Sequence, residues 1–96
     1  MKAMKVLHLI LKHRWFDMIA SGEKPEEYRD KTPYYDVRFF SNGQPRHYDA
    51  VCLHRGYTNT TITREYHAPR VGYGRPEWGA PDREVYILDV SKEVRP

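Results

Sequence analysis

A chain of 96 residues falls just short of the usual ~100–150-residue domain, which excludes a two-domain enzyme. Its 16 Lys and Arg against 13 Asp and Glu leave a formal charge of +3, a mildly basic balance and no polybasic tail. With 40% hydrophobic and 14% aromatic residues the chain lies outside the disordered regime, and no apolar run approaches the ~18–20 residues that span a bilayer, so a folded cytoplasmic protein without a membrane partner is expected.

In chain order, residues 6–11 are apolar on both parities and predict a strand covered on both faces, with His8 beside Val6 and Ile10 on one of them. Trp15, Met18, Ile19 and Gly22 recur at i, i+3, i+4 and i+7 and predict an amphipathic helix from near Arg14 to Ser21, stopped by Gly22 as a left-handed cap. Lys12, His13 and Arg14 stand at the positive end of that helix's dipole without a capping side chain, a clash that an anion would relieve. Residues 26–30 alternate after Lys24-Pro25, which places Glu27 and Arg29 on one strand face.

Thr32-Pro33, a capping residue before a proline at the first helical position, opens a short helix over residues 34–40 that Asn42-Gly43 ends, and residues 44–47 read as a connection. Residues 48–54 form the next strand, buried at 50–53; residues 55–60 turn the chain, and residues 61–66 alternate as a half-exposed hairpin partner with Ile62, Arg64 and Tyr66 on one face. Between Ala68 and Pro81, Pro69, Gly72, Gly74, Pro76, Gly79 and Pro81 leave room only for a brief edge strand at 70–73, in a loop long enough to be functional. Residues 84–90 are a last strand, buried at its middle. Four or five short strands with one or two helices predict an α+β fold, a small partly closed β-barrel carrying its helices at the mouth.

Cys52 is the only cysteine, so an intramolecular disulfide and a cysteine-based zinc cage are excluded, and within Ala50-Val51-Cys52-Leu53 it is expected to act as a small buried hydrophobe. His8, His13, His47, His54 and His67 are dispersed without an H-x-x-x-H pair, so no metal and no cofactor are expected.

The chemistry concentrates in Gly22-Glu23-Lys24-Pro25-Glu26-Glu27-Tyr28-Arg29. Gly22 permits a sharp turn, Lys24 offers three donors to a phosphate or carbonyl oxygen, and Arg29 offers a planar fork that grips phosphate bidentately or lies flat on a base. Glu27 can hold that guanidinium or accept from a base amine, and Tyr28, Tyr57, Tyr73 and Trp78 are stacking platforms worth roughly 1–3 kcal/mol per base. These residues suit a nucleotide or nucleobase pocket, with Lys12, Arg38 and Arg55 as basic groups around it. The same residues also suit a purely structural role, an ion pair on the sheet with aromatics filling a small core.

This octapeptide matches G-x-K-x-x-E-x-R and resembles the signature of the ASCH family, which has the PUA-like β-barrel fold. The strand ending in Lys12, the helix at 15–19, Pro33-Tyr34-Tyr35, the Arg55-Gly56-Tyr57 turn and the loop at 72–79 look like the small bacterial and phage branch of that family. The resemblance implies RNA or nucleotide binding. It also implies a hydrolase alternative, since some members resemble an amidohydrolase of acetylcytidine or a ribonuclease; Lys24 and Glu27 are then the candidate catalytic residues of a metal-independent reaction. In the amidohydrolase branch the motif lysine works with a threonine three residues later and a glutamate from a downstream helix. Here Glu27 occupies the threonine position, no helix is foreseen after Gly56, and no spacing singles out Glu77 or Glu84 as the missing acid. A lysine base must shed its proton from an ordinary pKa of ~10.4, whereas a charged phosphate-binding lysine needs no tuning, so binding is the simpler function. A third possibility is a protein-contact module using the loop at 68–81.

Overall fold

The computed structural model describes residues 3–94. Strand β1 (Val6–Leu11) turns Leu7, Leu9 and Leu11 inward and leaves His8 and Ile10 exposed. It is buried on one face only, contrary to the two-sided burial that its apolar run suggests. Helix α1 (His13–Ala20) begins at Lys12 without a side-chain cap and buries Phe16 and Ile19. Gly22 follows at φ +87°, the left-handed conformation expected of it, and the Lys24 N–H returns to the Met18 carbonyl at 3.0 Å.

Strand β2 (Glu26–Arg29) leads to helix α2 (Pro33–Phe39), where the Thr32 hydroxyl accepts from the Tyr35 N–H at 3.4 Å. The helix stops one residue short of the expected range. Phe40 instead opens strand β3 (Phe40–Ser41), which pairs with β4 (Gln44–Pro45), the segment that reads as a mere connection. Asn42 at φ 53° and Gly43 at φ 77° give the two left-handed residues of a tight hairpin turn, so Asn42-Gly43 reverses the chain as well as ending the helix.

Strand β5 (Ala50–Arg55) forms the foreseen hairpin with β6 (Thr61–Arg64); β7 (Arg70–Gly72) is the brief edge strand, a 3₁₀ turn covers Pro76–Trp78, and β8 (Val85–Asp89) is the last strand. The strands make two three-stranded sheets, β1-β5-β6 and β2-β8-β7, and the β3-β4 ribbon. β1 runs parallel to β5 with Val6 opposite Ala50 and Leu11 opposite Arg55, and the other pairings are antiparallel. The α+β class holds, with two helices and eight strands among the described residues, but no sheet closes into a barrel. Each three-stranded sheet ends in edge strands, and β6 meets the segment after β8 through an isolated bridge from Arg64 to Glu93 and through the Arg64 side chain.

One core lies between these layers: Leu7, Leu9 and Leu11 from β1, Phe16 and Ile19 from α1, Phe39 from α2, Val51 and Leu53 from β5, and Tyr86 and Leu88 from β8. Each such side chain contributes roughly 1.5–3 kcal/mol on burial. β8 is buried at four of its five positions because it has a neighbour on either side. Tyr66 packs edge-on against Tyr48, ring centroids 4.9 Å apart, with its hydroxyl buried and without a hydrogen-bond partner among the described residues. Tyr66→Phe removes that desolvated hydroxyl and is expected to raise stability by about 1 kcal/mol in urea unfolding; a loss of that size would show the hydroxyl to be bonded in solution.

Candidate functional site

The turn after α1 delivers Lys24 into the interior: it is 1% exposed, the most thoroughly buried charged residue among those described. Its Nζ donates to Glu27 Oε1 at 3.1 Å and to the backbone carbonyl of Glu26, and lies 4.6 Å from the centre of the Tyr28 ring and 5.9 Å from that of Trp15. Strand alternation in β2 puts Glu27 and Arg29 on one face as expected, and Glu27 Oε2 accepts from Arg29 Nη2 at 2.7 Å. Two cations therefore share one carboxylate, 9% exposed, and the triad carries a charge of +1 while Lys24 is protonated. The Arg29 fork is held further by donation to the Tyr35 hydroxyl at 2.8 Å and to the Ile10 carbonyl at 3.0 Å.

Burial pushes the Lys24 pKa below the ordinary lysine value, and Glu27 offsets this only in part. For Arg29 burial also opposes the charge, but Glu27 and Tyr35 outweigh it, and its pKa is raised. The long loop packs on Tyr28, whose ring lies over Lys24. Gly74 lies so close to Tyr28 that a Cβ there would come within 2.4 Å of its ring, and the Arg75 N–H donates to the Tyr28 hydroxyl at 3.1 Å.

Arg29 lines two clefts. One, about 390 Å³, lies between Tyr28, Arg29, Tyr35, Pro81 and Arg83, where Arg83 is already paired with Asp30 at 2.7 Å. The other, about 300 Å³, is formed by His8, Ile10, Arg29, Tyr34, Arg38 and Tyr57 together with Leu9 and Tyr35, and no carboxylate lines it. In it the Arg38 guanidinium carbon lies 3.3 Å from the centre of the Tyr34 ring, and Tyr57 is 93% exposed. A larger depression of about 870 Å³ runs past Gly22, Lys24, Arg64 and Lys92, but it contains no aromatic ring, and Arg64 is bonded to the Val90 carbonyl at 3.1 Å. Arginine, aromatic faces and an absence of carboxylates single out the 300 Å³ cleft as the place for an anionic, planar ligand.

No family model, curated protein or solved structure matches this chain.

Of the residues singled out in the sequence, Arg29, Arg38 and Tyr57 meet in this cleft, and Lys24 and Glu27 stand behind it as the support of Arg29. Lys12, Arg55 and Trp78 do not line it. Arg55 is engaged by Asp17 through a two-pronged pair at 2.9 and 3.1 Å, which holds the Asp17 carboxyl below its usual pKa. Trp78, in the 3₁₀ turn, is covered by the Arg75 guanidinium at 4.8 Å. Tyr34 and Tyr35 are site residues that the motif does not announce. Their signal is the capped start of α2, which fixes both rings beside Arg29 and Arg38.

Proposed function

We propose that this chain is an RNA- or nucleotide-binding domain of the ASCH type, with PUA-like affinity, whose base-binding site is the cleft of Arg29, Tyr34, Arg38 and Tyr57. The carrying observation is the Arg29 guanidinium, fixed between Glu27 and Tyr35 while it lines a cleft with Arg38, three tyrosines and no acid. Arg29 and Arg38 take phosphate, and Tyr34 and Tyr57 stack bases. Lys24 acts as a positioning residue, holding Glu27 and through it Arg29. A buried Nζ already committed to a carboxylate and a carbonyl favours this role over that of a base. On the hydrolytic alternative, Glu77 or Glu84 would have to supply the acid, but both are exposed, and Glu77 is paired with Arg75 at 3.7 Å.

Tyr57→Ala tests the proposal without touching the core. It is expected to weaken binding of a short single-stranded RNA roughly 5- to 100-fold in fluorescence anisotropy, the loss of one stacking platform. With two phosphate contacts, log K should fall against log salt with a slope of about −1.4. Wild-type affinity in both Tyr57→Ala and Arg38→Ala would overturn the assignment.

A further inference from the structure

On the outer face of the β1-β5-β6 sheet, opposite the core, three ligating side chains that lie far apart in sequence come together. Parallel pairing sets His8 opposite Cys52 and Ile10 opposite His54, so strand alternation turns His8, Cys52 and His54 to the same side. His8 Nδ1 and His54 Nε2 are 2.9 Å apart, and one ring nitrogen of each histidine and the Cys52 Sγ all lie within 4.8 Å of one another. Cys52 and His54 are half-buried and His8 is exposed, so the cluster opens to solvent on one side. Cys52 is thus not part of the buried core: β5 turns it to the outer face of the sheet, where it is half-buried.

We propose that His8, Cys52 and His54 form a binding site for a thiophilic divalent transition metal, zinc above all, with a fourth position open to an outside ligand. One thiolate and two imidazoles are the donor set such ions prefer, and the absence of any carboxylate from the cluster disfavours magnesium and calcium. Zinc at about 2.0–2.1 Å from nitrogen and 2.3 Å from sulfur separates tetrahedral ligand atoms by about 3.3–3.6 Å. The two imidazole nitrogens need open by only about 0.4 Å and the thiolate close by about 1.2 Å at most, within reach of side-chain rotation. On binding, the Cys52 thiol gives up its proton. The hydrogen bond between the rings is given up for two metal bonds: the ring that donated it passes that proton through solvent to its own other nitrogen, so that the bound imidazoles carry their protons on Nε2 of His8 and Nδ1 of His54. This site is separate from the base-binding role of the cleft, although His8 borders both.

The experiment uses the full-length untagged protein, titrated with Co²⁺ and then with Zn²⁺ as competitor. One equivalent of Co²⁺ is expected to give intense tetrahedral d–d absorption with a thiolate charge-transfer band, both erased by Zn²⁺. Cys52→Ser should abolish the charge-transfer band, and Cys52→Ser and His54→Ala should each weaken Zn²⁺ by at least about 100-fold, the upper end of what losing a mere outer partner of a ligand costs. His47→Ala, at the exposed pair with Asp49, should leave affinity unchanged. Zn²⁺ should raise the melting temperature of the wild type but not of Cys52→Ser. A weak octahedral Co²⁺ spectrum without the thiolate band, or unchanged Zn²⁺ affinity in both ligand variants, would overturn the proposal.

Discussion

Glu27→Gln is expected to cost about 3–5 kcal/mol of folding stability, the range for removing one member of a buried ionic group and leaving the other charges uncompensated. The reason is arithmetic as well as geometry. Glu27 is the one carboxylate bonded by both Lys24 and Arg29, and its neutral amide analogue leaves two buried cations, a charge of +2, where the native triad carries +1. Lys24→Met is expected to cost less than half as much, because Glu27 then keeps Arg29 at 2.7 Å and the methionine fills the space under Tyr28. Urea unfolding of the two variants measures the difference. A Glu27→Gln loss under about 1 kcal/mol would mean that solvent, and not the carboxylate, compensates the cations.

The second large effect is alkaline. Burial, before any other cause, pushes the hydroxyls of Tyr28, Tyr66 and Tyr86 up from 10.0 to about 12. Between pH 10 and 12 the native chain keeps these protons while the unfolded chain releases them, so the unfolded state binds fewer and stability falls as pH rises. The stability they contribute is fully present below pH 10 and is lost as pH passes through about 12. Lys24 works in the opposite sense: its lowered pKa makes stability rise with pH, but that gain is complete once the unfolded lysine has also titrated, near 10.5. With up to about 1.4 kcal/mol per pH unit from each tyrosine, the wild type is expected to lose several kcal/mol across this window. Tyr66→Phe should lose about one third less. A stability curve flat from pH 10 to 12 would contradict the burial of these hydroxyls.

What could be read from sequence was local. The stripe of Trp15, Met18 and Ile19, the cap at Thr32, the left-handed Gly22, the β5-β6 hairpin and the shared face of Glu27 and Arg29 each depend on residues within one turn or strand of each other. The β3-β4 ribbon escaped because strands of two residues carry no periodicity. Lys24 reads in the sequence as a ligand-facing cation, since nothing in the octapeptide shows that Tyr28 and Trp15 close over it. The outer face of β1 looked buried because Ile10 is apolar, yet coverage is decided by which helix packs where. The meeting of His8 with Cys52 and His54 depends on the parallel register of β1 and β5, a long-range pairing that no local pattern reveals.

¹⁵N-resolved NMR of the protein titrated with a short single-stranded RNA locates the proposed binding cleft. Amide shifts are expected to cluster at residues 8–10, at Tyr34, Tyr35 and Arg38, and at Tyr57, and to vanish in Arg38→Ala combined with Tyr57→Ala. Shifts confined to other surfaces, or none at saturating RNA, would contradict it.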